Sequence, residues 1–122
     1  MFPALWQENP VPGTFRISPG ITKISSAEGQ ALVQNGCCLL LDVRTLQEFR
    51  GGHIFGALNL NVDDIDAERA AALIPSPDSV VMVYCRSGRR SKSACQKLQH
   101  LGYHYLLDLG GILDWPYGTV QD

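Results

Sequence analysis

One cysteine in this sequence is surrounded by positive charge. Cys85 is followed by Arg86, Arg89, Arg90 and Lys92, and no acidic residue interrupts the segment CRSGRRSK. The chain as a whole is acidic, with 12 acidic and 10 basic residues and a formal net charge of -2. A local cluster of cations in an acidic chain indicates a site for a small anion beside a thiol.

The residues around Cys85 also predict how an anion would be held. The apolar run VVMVY leads into Cys85 and a helical pattern follows, so the cysteine lies where a strand passes into a helix. Gly88 supplies backbone freedom for a tight curl, and the backbone N–H groups from Arg86 through Ser87 to Arg90 are expected to face the sulfur. An isolated cysteine is most often an inert core residue. Here the cations and the helix N-terminus favour a reactive thiolate near neutral pH.

Short apolar runs alternate with helical patterns along the rest of the chain. We predict strands over residues 21–24, 37–43, 58–62, 80–84 and 105–109, and helices over residues 45–50, 64–74 and 91–101. A further helix begins at Ser25, which forms a capping box with Glu28, and ends at Gly36. This alternation predicts an α/β fold with a parallel sheet in three layers. Ligands of such sheets bind beyond the carboxyl ends of the strands, where Cys85 falls.

The length and composition of the chain are typical of one globular domain. The chain has 122 residues, of which 45% are apolar and 18% are charged. Four of the seven prolines lie in residues 1–20, so we expect an N-terminal arm there and a domain over residues 21–122. No apolar run approaches the roughly 20 residues that cross a bilayer, which predicts no membrane partner. The slightly negative net charge likewise predicts no nucleic-acid partner.

The four cysteines predict a reducing compartment. Cys37, Cys38, Cys85 and Cys95 show neither the spacing of a metal site nor that of a disulfide framework. We therefore expect free thiols, no metal and a cytoplasmic location. Export stays open if a leader peptide has been removed.

Three separated segments resemble the signature blocks of the rhodanese homology domain. They read LLLDVRTLQEFRGGHIFGALNL, YCRSGRRS and LGYHYLLDLGGILDWP, in the usual order and spacing, and together they cover most of residues 21–117. The resemblance implies a five-stranded parallel sheet between helices and a catalytic cysteine at Cys85. It also implies an active loop of six residues, 85–90, whose amides hold a persulfide.

The activity implied by this resemblance is sulfur transfer in two displacements. The Cys85 thiolate attacks the outer sulfur of an anionic donor such as thiosulfate, sulfite leaves, and the persulfide passes its sulfur to cyanide or a thiol, including a protein thiol. Arg86 and Arg89, together with Arg90, would hold the donor's oxygens. The loop amides would stabilise the charge that builds on sulfur. No metal or organic cofactor is implied, because the sulfur is carried covalently by the enzyme itself.

Polar residues of the segment LLLDVRTLQEFRGGHIFGALNL are expected to support the fold and not to take part in the reaction. Buried polar groups must be paired, so we expect Arg44 and Glu48 to form an ion pair and His53 to bond to backbone. Asp42 lies at a strand end that approaches the active loop, and we place it in the same supporting group.

The remaining cysteines are expected to pack in the core. Cys95 lies about 9 Å along its helix from the loop, whereas a disulfide needs alpha carbons within about 7 Å. Cys37 and Cys38 are interpreted as strand packing, on opposite faces of one strand.

A cysteine phosphatase is the nearest enzymatic alternative. The sequence motif of those enzymes is a cysteine, five residues and then an arginine. Here the sixth residue after Cys85 is Ser91, and Arg90 comes one residue early. The shorter loop gives a smaller cradle, which favours a sulfur-centred group over a phosphate ester. Arsenate reduction, a non-catalytic interaction domain and a persulfide relay to a protein acceptor stay open. The retained cysteine and cations count against the non-catalytic alternative.

Overall fold

The computed structural model describes residues 17–36 and 38–121. Within these ranges five strands alternate with four α-helices. The strands are β1 (Gly20–Lys23), β2 (Leu39–Asp42), β3 (Leu58–Asn59), β4 (Val80–Cys85) and β5 (Tyr105–Gly111). The helices are α1 (Ser26–Asn35), α2 (Leu46–Arg50), α3 (Ala67–Leu73) and α4 (Arg89–His100), and short 3-10 turns span Val62–Asp64 and Ile112–Asp114.

The five strands form one parallel sheet in the order β1-β5-β4-β2-β3. The predicted α/β class with a five-stranded parallel sheet is therefore confirmed. β4 lies at the centre, between β5 and β2, so the chain leaving β4 is flanked by the ends of both neighbours. As the last residue of β4, Cys85 lies in the middle of the carboxyl-terminal edge of the sheet.

The sheet separates two hydrophobic cores, which gives the predicted three layers. Successive side chains of a strand point to opposite faces. Met82 and Tyr84 pack on the side of α1 and α2, whereas Val83 and Cys85 pack on the side of α3 and α4. Every residue of β4 is buried, as expected of a strand that is covered on both faces.

The ends of α1 follow the local sequence signals. The Ser25 hydroxyl accepts the Glu28 N–H at 3.1 Å, and the Glu28 carboxylate accepts the Ser25 N–H at 2.8 Å, so the predicted capping box is confirmed. Gly36 ends the helix in the left-handed conformation, at φ 65°. Thr45 and Glu48 form a second capping box at the start of α2.

Several predicted boundaries were wrong because of capping and turn contacts. The strand predicted over residues 58–62 is only Leu58–Asn59, since the Asn61 side chain accepts the Asp63 N–H and starts a 3-10 turn. The helix predicted from residue 64 begins at Ala67, because Asp66 caps it. The helix predicted from residue 91 begins two residues earlier, at Arg89.

Some expectations fall on residues that the structure does not describe. Residues 1–16, most of the predicted arm, lie outside the described ranges, and so does Cys37. The arm and the domain boundary stay predictions. None of the described helices is long and apolar enough to cross a membrane.

A two-pronged ion pair ties α2 to the start of α4. Arg90 Nη1 and Nη2 donate to the two carboxylate oxygens of Glu48 at 2.8 and 2.9 Å. Hydrogen bonding to Arg90 lowers the pKa of Glu48 from 4.5 to about 2. This contact links the segment after β2 to the segment after Cys85.

The expected ion pair between Arg44 and Glu48 is wrong. Arg44 instead folds back on Asp42, two residues earlier, and its Nη2 lies 2.7 Å from Asp42 Oδ2. Both residues are buried, and Arg44 Nη2 also donates to the Gly52 carbonyl at 2.7 Å. Burial opposes the charge on Arg44, but the Asp42 carboxylate outweighs it and raises the Arg44 pKa.

Replacing Glu48 by Gln is expected to lower the free energy of unfolding by about 1 kcal/mol near neutral pH, since a half-exposed ion pair is lost. The folded-state pKa of Glu48 is depressed, so the stabilisation is present above pH 4.5 and is lost as the pH falls towards about 2. Urea denaturation of Glu48→Gln and the parent chain near pH 7 and near pH 3 measures this difference, which should shrink at the lower pH.

The control for this change is Glu28→Gln in α1. Glu28 occupies the same position in a capping box but has no ion pair within the described residues. Glutamine keeps the box in both helices. An equal loss of stability in the two variants, or a Glu48→Gln effect that does not depend on pH, would contradict the ion-pair explanation.

Candidate active site

The Cys85 thiol lies at the bottom of a tight turn. Residues 86–88 connect β4 to α4, and the Gly88 N–H donates to Cys85 Sγ at 3.0 Å. Cys85 is fully buried in this arrangement, whereas Arg86 and Ser87 above it are exposed. The sulfur is thus held by a backbone donor and covered by the turn.

Gly88 gives the turn its shape. Its φ of 106° is in the left-handed region, which glycine adopts at no steric cost. It is also the N-cap of α4, and no side chain caps the helix there. The positive end of the α4 dipole therefore points at the Cys85 turn and favours negative charge on the sulfur or on a bound anion.

The end of β5 packs directly against the turn. A Cβ atom added to Gly111 would lie 2.7 Å from the alpha carbon of Ser87, so only glycine fits at this contact. The Leu113 N–H donates to the Arg86 carbonyl at 3.2 Å. The GGILDW segment therefore contacts the turn that follows Cys85.

The four cations predicted around Cys85 fall into two groups. Arg86, Arg89 and Lys92 are exposed, and their side chains have no hydrogen bond or ion pair within residues 17–36 and 38–121. Arg90 is different, because Glu48 occupies both of its outer nitrogens. Anion binding by Arg90 stays a prediction, and this ion pair weakens it, since the Arg90 charge is already balanced.

The predicted supporting residues form a layer beside the site. Arg44, paired with Asp42, lies over the Tyr84 ring at 5.7 Å from its centroid. His53 Nδ1 lies 2.8 Å from the Phe49 carbonyl oxygen, which can only accept, so the predicted backbone bond of His53 is present. None of these residues has a hydrogen bond to Cys85 Sγ within the described chain. Their supporting role stays a prediction with these contacts behind it.

Two functional candidates were missed from the sequence, Asp108 and Ser91. Ser91 Oγ lies 2.8 Å from Asp108 Oδ1 and 3.0 Å from the Gly88 carbonyl oxygen. The Gly110 N–H donates to the same Asp108 oxygen at 3.0 Å. Asp108 and Ser91 are both buried, so this network fixes the start of α4 against the end of β5.

The sequence around Asp108 contains a signal for its role. Asp108 is an acidic residue within the apolar run YLLDLGG, and a buried carboxylate in a strand needs partners. Between Val83 and Tyr84 the register of β4 against β5 shifts by one residue, which places Gly110 opposite Tyr84. That irregularity brings Gly110 and Gly111 beside the Cys85 turn.

The other described cysteines are not placed to react. Cys85 and Cys95 are free thiols, and Cys95 is buried in the core between α4 and the sheet. Burial raises the pKa of Cys95 to about 12, so its thiol is neutral at physiological pH. No group of three or more His, Cys, Asp or Glu side chains within the described ranges has the arrangement of a metal site.

Asp108→Ala is expected to loosen the Cys85 turn, because it leaves Ser91 Oγ and the Gly110 N–H without their common acceptor. Exchange of the Gly88 amide hydrogen, measured by NMR, should accelerate about tenfold. Amides in the middle of β4 should change much less.

Asp108→Asn keeps an oxygen acceptor and should recover most of the protection at Gly88. Asp114→Ala, at an exposed acid six residues further along the chain, is the control. Uniform acceleration over the whole sheet would mean that Asp108 stabilises the fold generally and does not position the turn.

The comparisons with known proteins agree with this geometry. A model of the family described as "Rhodanese-like domain" matches residues 25–116. The chain is 40% identical over 92 residues to a sulfurtransferase of Allochromatium vinosum, covering 75% of this chain and 83% of that protein. It is 34% identical over 81 residues to the thiosulfate sulfurtransferase PspE of Escherichia coli K12, covering 66% of this chain and 77% of that protein.

A solved structure supports the same family. A rhodanese with anions from E. coli has a TM-score of 0.63 and 31% identity to this chain, covering 69% of this chain and 98% of that one. The family match extends from the cap of α1 through the Cys85 turn to the GGILDW segment. On this evidence the chain belongs to the family of rhodanese-like domains.

Proposed function

We propose that this protein moves a sulfane sulfur from thiosulfate or a similar small anion to cyanide or a thiol through a persulfide on Cys85. The observation that carries the proposal is the Gly88 N–H bond to Cys85 Sγ, at the N-terminus of a helix and between two exposed arginines. A backbone donor aimed at sulfur stabilises negative charge there. Two relatives named as sulfurtransferases support the reaction class.

The first half of the reaction forms the persulfide. The Cys85 thiolate attacks the outer sulfur of thiosulfate, a bond forms between the two sulfurs, and the bond from that outer sulfur to the sulfonate sulfur breaks. Sulfite leaves with the electron pair of the broken bond. The outer sulfur, now on Cys85, carries the negative charge. In the second half, an acceptor attacks this outer sulfur and Cys85 leaves as the thiolate.

The residues of the turn have separate tasks in this scheme. Arg86 and Arg89 hold the sulfonate oxygens of the donor, because their side chains are exposed and have no partner within the described chain. The Gly88 N–H and the α4 dipole stabilise charge on sulfur. Ser87 contributes backbone to the same turn. The sulfur is carried by Cys85 itself, so we propose no metal or organic cofactor for these steps.

The buried thiol sets a condition on the reaction. Because Cys85 is fully covered, the turn of residues 86–88 must open locally before a donor sulfur reaches Sγ. Local opening of a short exposed segment costs far less than global unfolding. The free thiols of Cys85 and Cys95 are compatible with a reducing, cytoplasmic setting, which we keep as part of the proposal.

The phosphatase alternative is less well supported by the geometry. The sixth residue after Cys85 is Ser91, where the phosphatase pattern has an arginine, and its buried hydroxyl contacts Asp108. An arginine at this position would have to displace that network. Arg90, the last residue of the loop of residues 85–90, is paired with Glu48.

Cys85→Ser is expected to abolish thiosulfate to cyanide sulfur transfer while the protein stays folded. Mass spectrometry after thiosulfate treatment should find one added sulfur, about 32 Da, on the Cys85 peptide of the parent chain. Cys38→Ser, at a half-buried thiol, should keep both the adduct and the activity. An active Cys85→Ser protein, or an adduct confined to another cysteine, would refute the proposed carrier.

Arg86→Ala and Arg89→Ala are expected to raise the KM for thiosulfate by about tenfold each, through loss of a charge-assisted hydrogen bond, with a smaller change in kcat. Lys92→Ala removes a cation one turn further along α4 and should leave this KM within about twofold. If all three variants raised KM equally, general attraction would explain the effect and the two arginines would have no specific contact.

A further inference from the structure

The surface around the Cys85 turn carries more positive charge than a small anion can contact. Arg89 and Lys92 are three residues apart on α4, about 4.5 Å along its axis, so they lie on one side of the helix. Both are exposed, and neither side chain has a partner within the described residues. Lys92 therefore extends the positive surface beyond the reach of a donor held at the turn.

Exposed leucines flank the same turn on both sides. Because β2 and β5 are the neighbours of β4, the segments that follow them lie on either side of the turn. Leu46 begins α2 after β2 and is 51% exposed, and Leu113 follows β5 and is 63% exposed. The Leu113 N–H bonds to the Arg86 carbonyl, and Glu48, on the same short helix as Leu46, bonds to Arg90.

We propose that this surface docks the sulfur acceptor as a thiol within an acidic and apolar segment of a partner protein. We call the surface the acceptor rim, and it consists of Leu46, Arg86, Arg89, Lys92 and Leu113. The inference rests on the proposed function and specifies its second substrate. Cyanide or a small thiol would touch neither leucine nor Lys92, whereas a protein segment would bury the leucines and place carboxylates against the cations.

The charge distribution restricts where such a partner binds. The chain carries a net charge of -2, so its overall charge does not attract an acidic segment, and attraction depends on a local cluster of cations such as the rim. Arg86 and Arg89 are free to bind the acidic segment of the partner in the second half of the reaction, because sulfite has left before the acceptor arrives. One set of cations thus serves a small anion first and a carboxylate-bearing segment second.

The transfer step keeps atoms and electrons balanced. The partner's thiolate attacks the outer sulfur of the Cys85 persulfide and forms a new bond between two sulfurs. The bond between Cys85 Sγ and that outer sulfur breaks, and its electron pair stays on Cys85 as a thiolate. The partner leaves as a persulfide, and no net oxidation or reduction occurs.

The test compares three acceptors with the persulfide form of the full chain. Two synthetic peptides each carry one cysteine and two leucines, one with aspartate and glutamate beside them and the other with asparagine and glutamine. The third acceptor is 2-mercaptoethanol, which is neutral and small. We expect kcat/KM for the acidic peptide to exceed that for the amide peptide by about tenfold at low salt, and the gap to close as salt is added.

Variants of the rim separate docking from chemistry. Leu46→Ser and Leu113→Ser should each lower the ratio of the acidic-peptide rate to the 2-mercaptoethanol rate by about fivefold, through lost apolar burial. Lys92→Gln should lower the preference for the acidic peptide. Leu101→Ser and Arg50→Gln make matched changes at exposed positions at other helix ends and should leave the ratio unchanged.

Each outcome has one meaning. Equal rates with the acidic and amide peptides, or rim variants that lower all acceptor rates together, would overturn the acceptor rim while leaving the proposed function intact. Failure to transfer sulfur to any acceptor, cyanide included, would instead overturn the proposed function. A dimer in sedimentation that the leucine variants dissociate would assign the rim to a second copy of the chain and so refute the docking proposal.

Discussion

The fold depends on one tight connection, the three residues that carry the chain from β4 into α4. Gly88 must adopt a left-handed φ to turn its N–H onto Cys85 Sγ, and Gly111 must lack a side chain so that β5 can support the turn from below. Larger side chains at either position would move the backbone away from the sulfur. The geometry at Cys85 is therefore imposed by two glycines as much as by the cysteine itself.

Charge is arranged so that only part of the cationic cluster is left uncompensated. Asp42 balances Arg44 in the buried layer, and Glu48 balances Arg90 at the start of α4. Arg86 and Arg89 have no such acid among the residues that the structure describes, and their exposed charges lie next to the sulfur. This division explains how one segment can supply both a structural ion pair and the proposed site for an anion. Residue type alone does not distinguish these two uses.

Features that depend on neighbours along the chain could be predicted from the sequence. The capping box at Ser25, the left-handed end at Gly36 and the buried run of β4 each follow from a short local pattern. Contacts between distant segments could not be predicted in this way. Glu48 pairs with Arg90, 42 positions away, whereas the partner expected for Glu48 was Arg44, which lies only four positions away and pairs with Asp42 instead. Asp108 was missed because its apolar neighbours predicted a strand, and its partner Ser91 lies on a helix.

The anchors of the Cys85 turn also indicate how a buried thiol can still react. The Arg86 carbonyl is held by the Leu113 N–H, and Ser91 holds the base of α4 through Asp108. Both anchors lie at the ends of the turn, while its middle, Ser87, is exposed and has no such hydrogen bond within residues 17–36 and 38–121. Opening can therefore stay within a few residues, because neither the sheet nor α4 has to move. In the proposed reaction, a rigid frame around a short segment that opens would shield the sulfur between transfers and expose it during them.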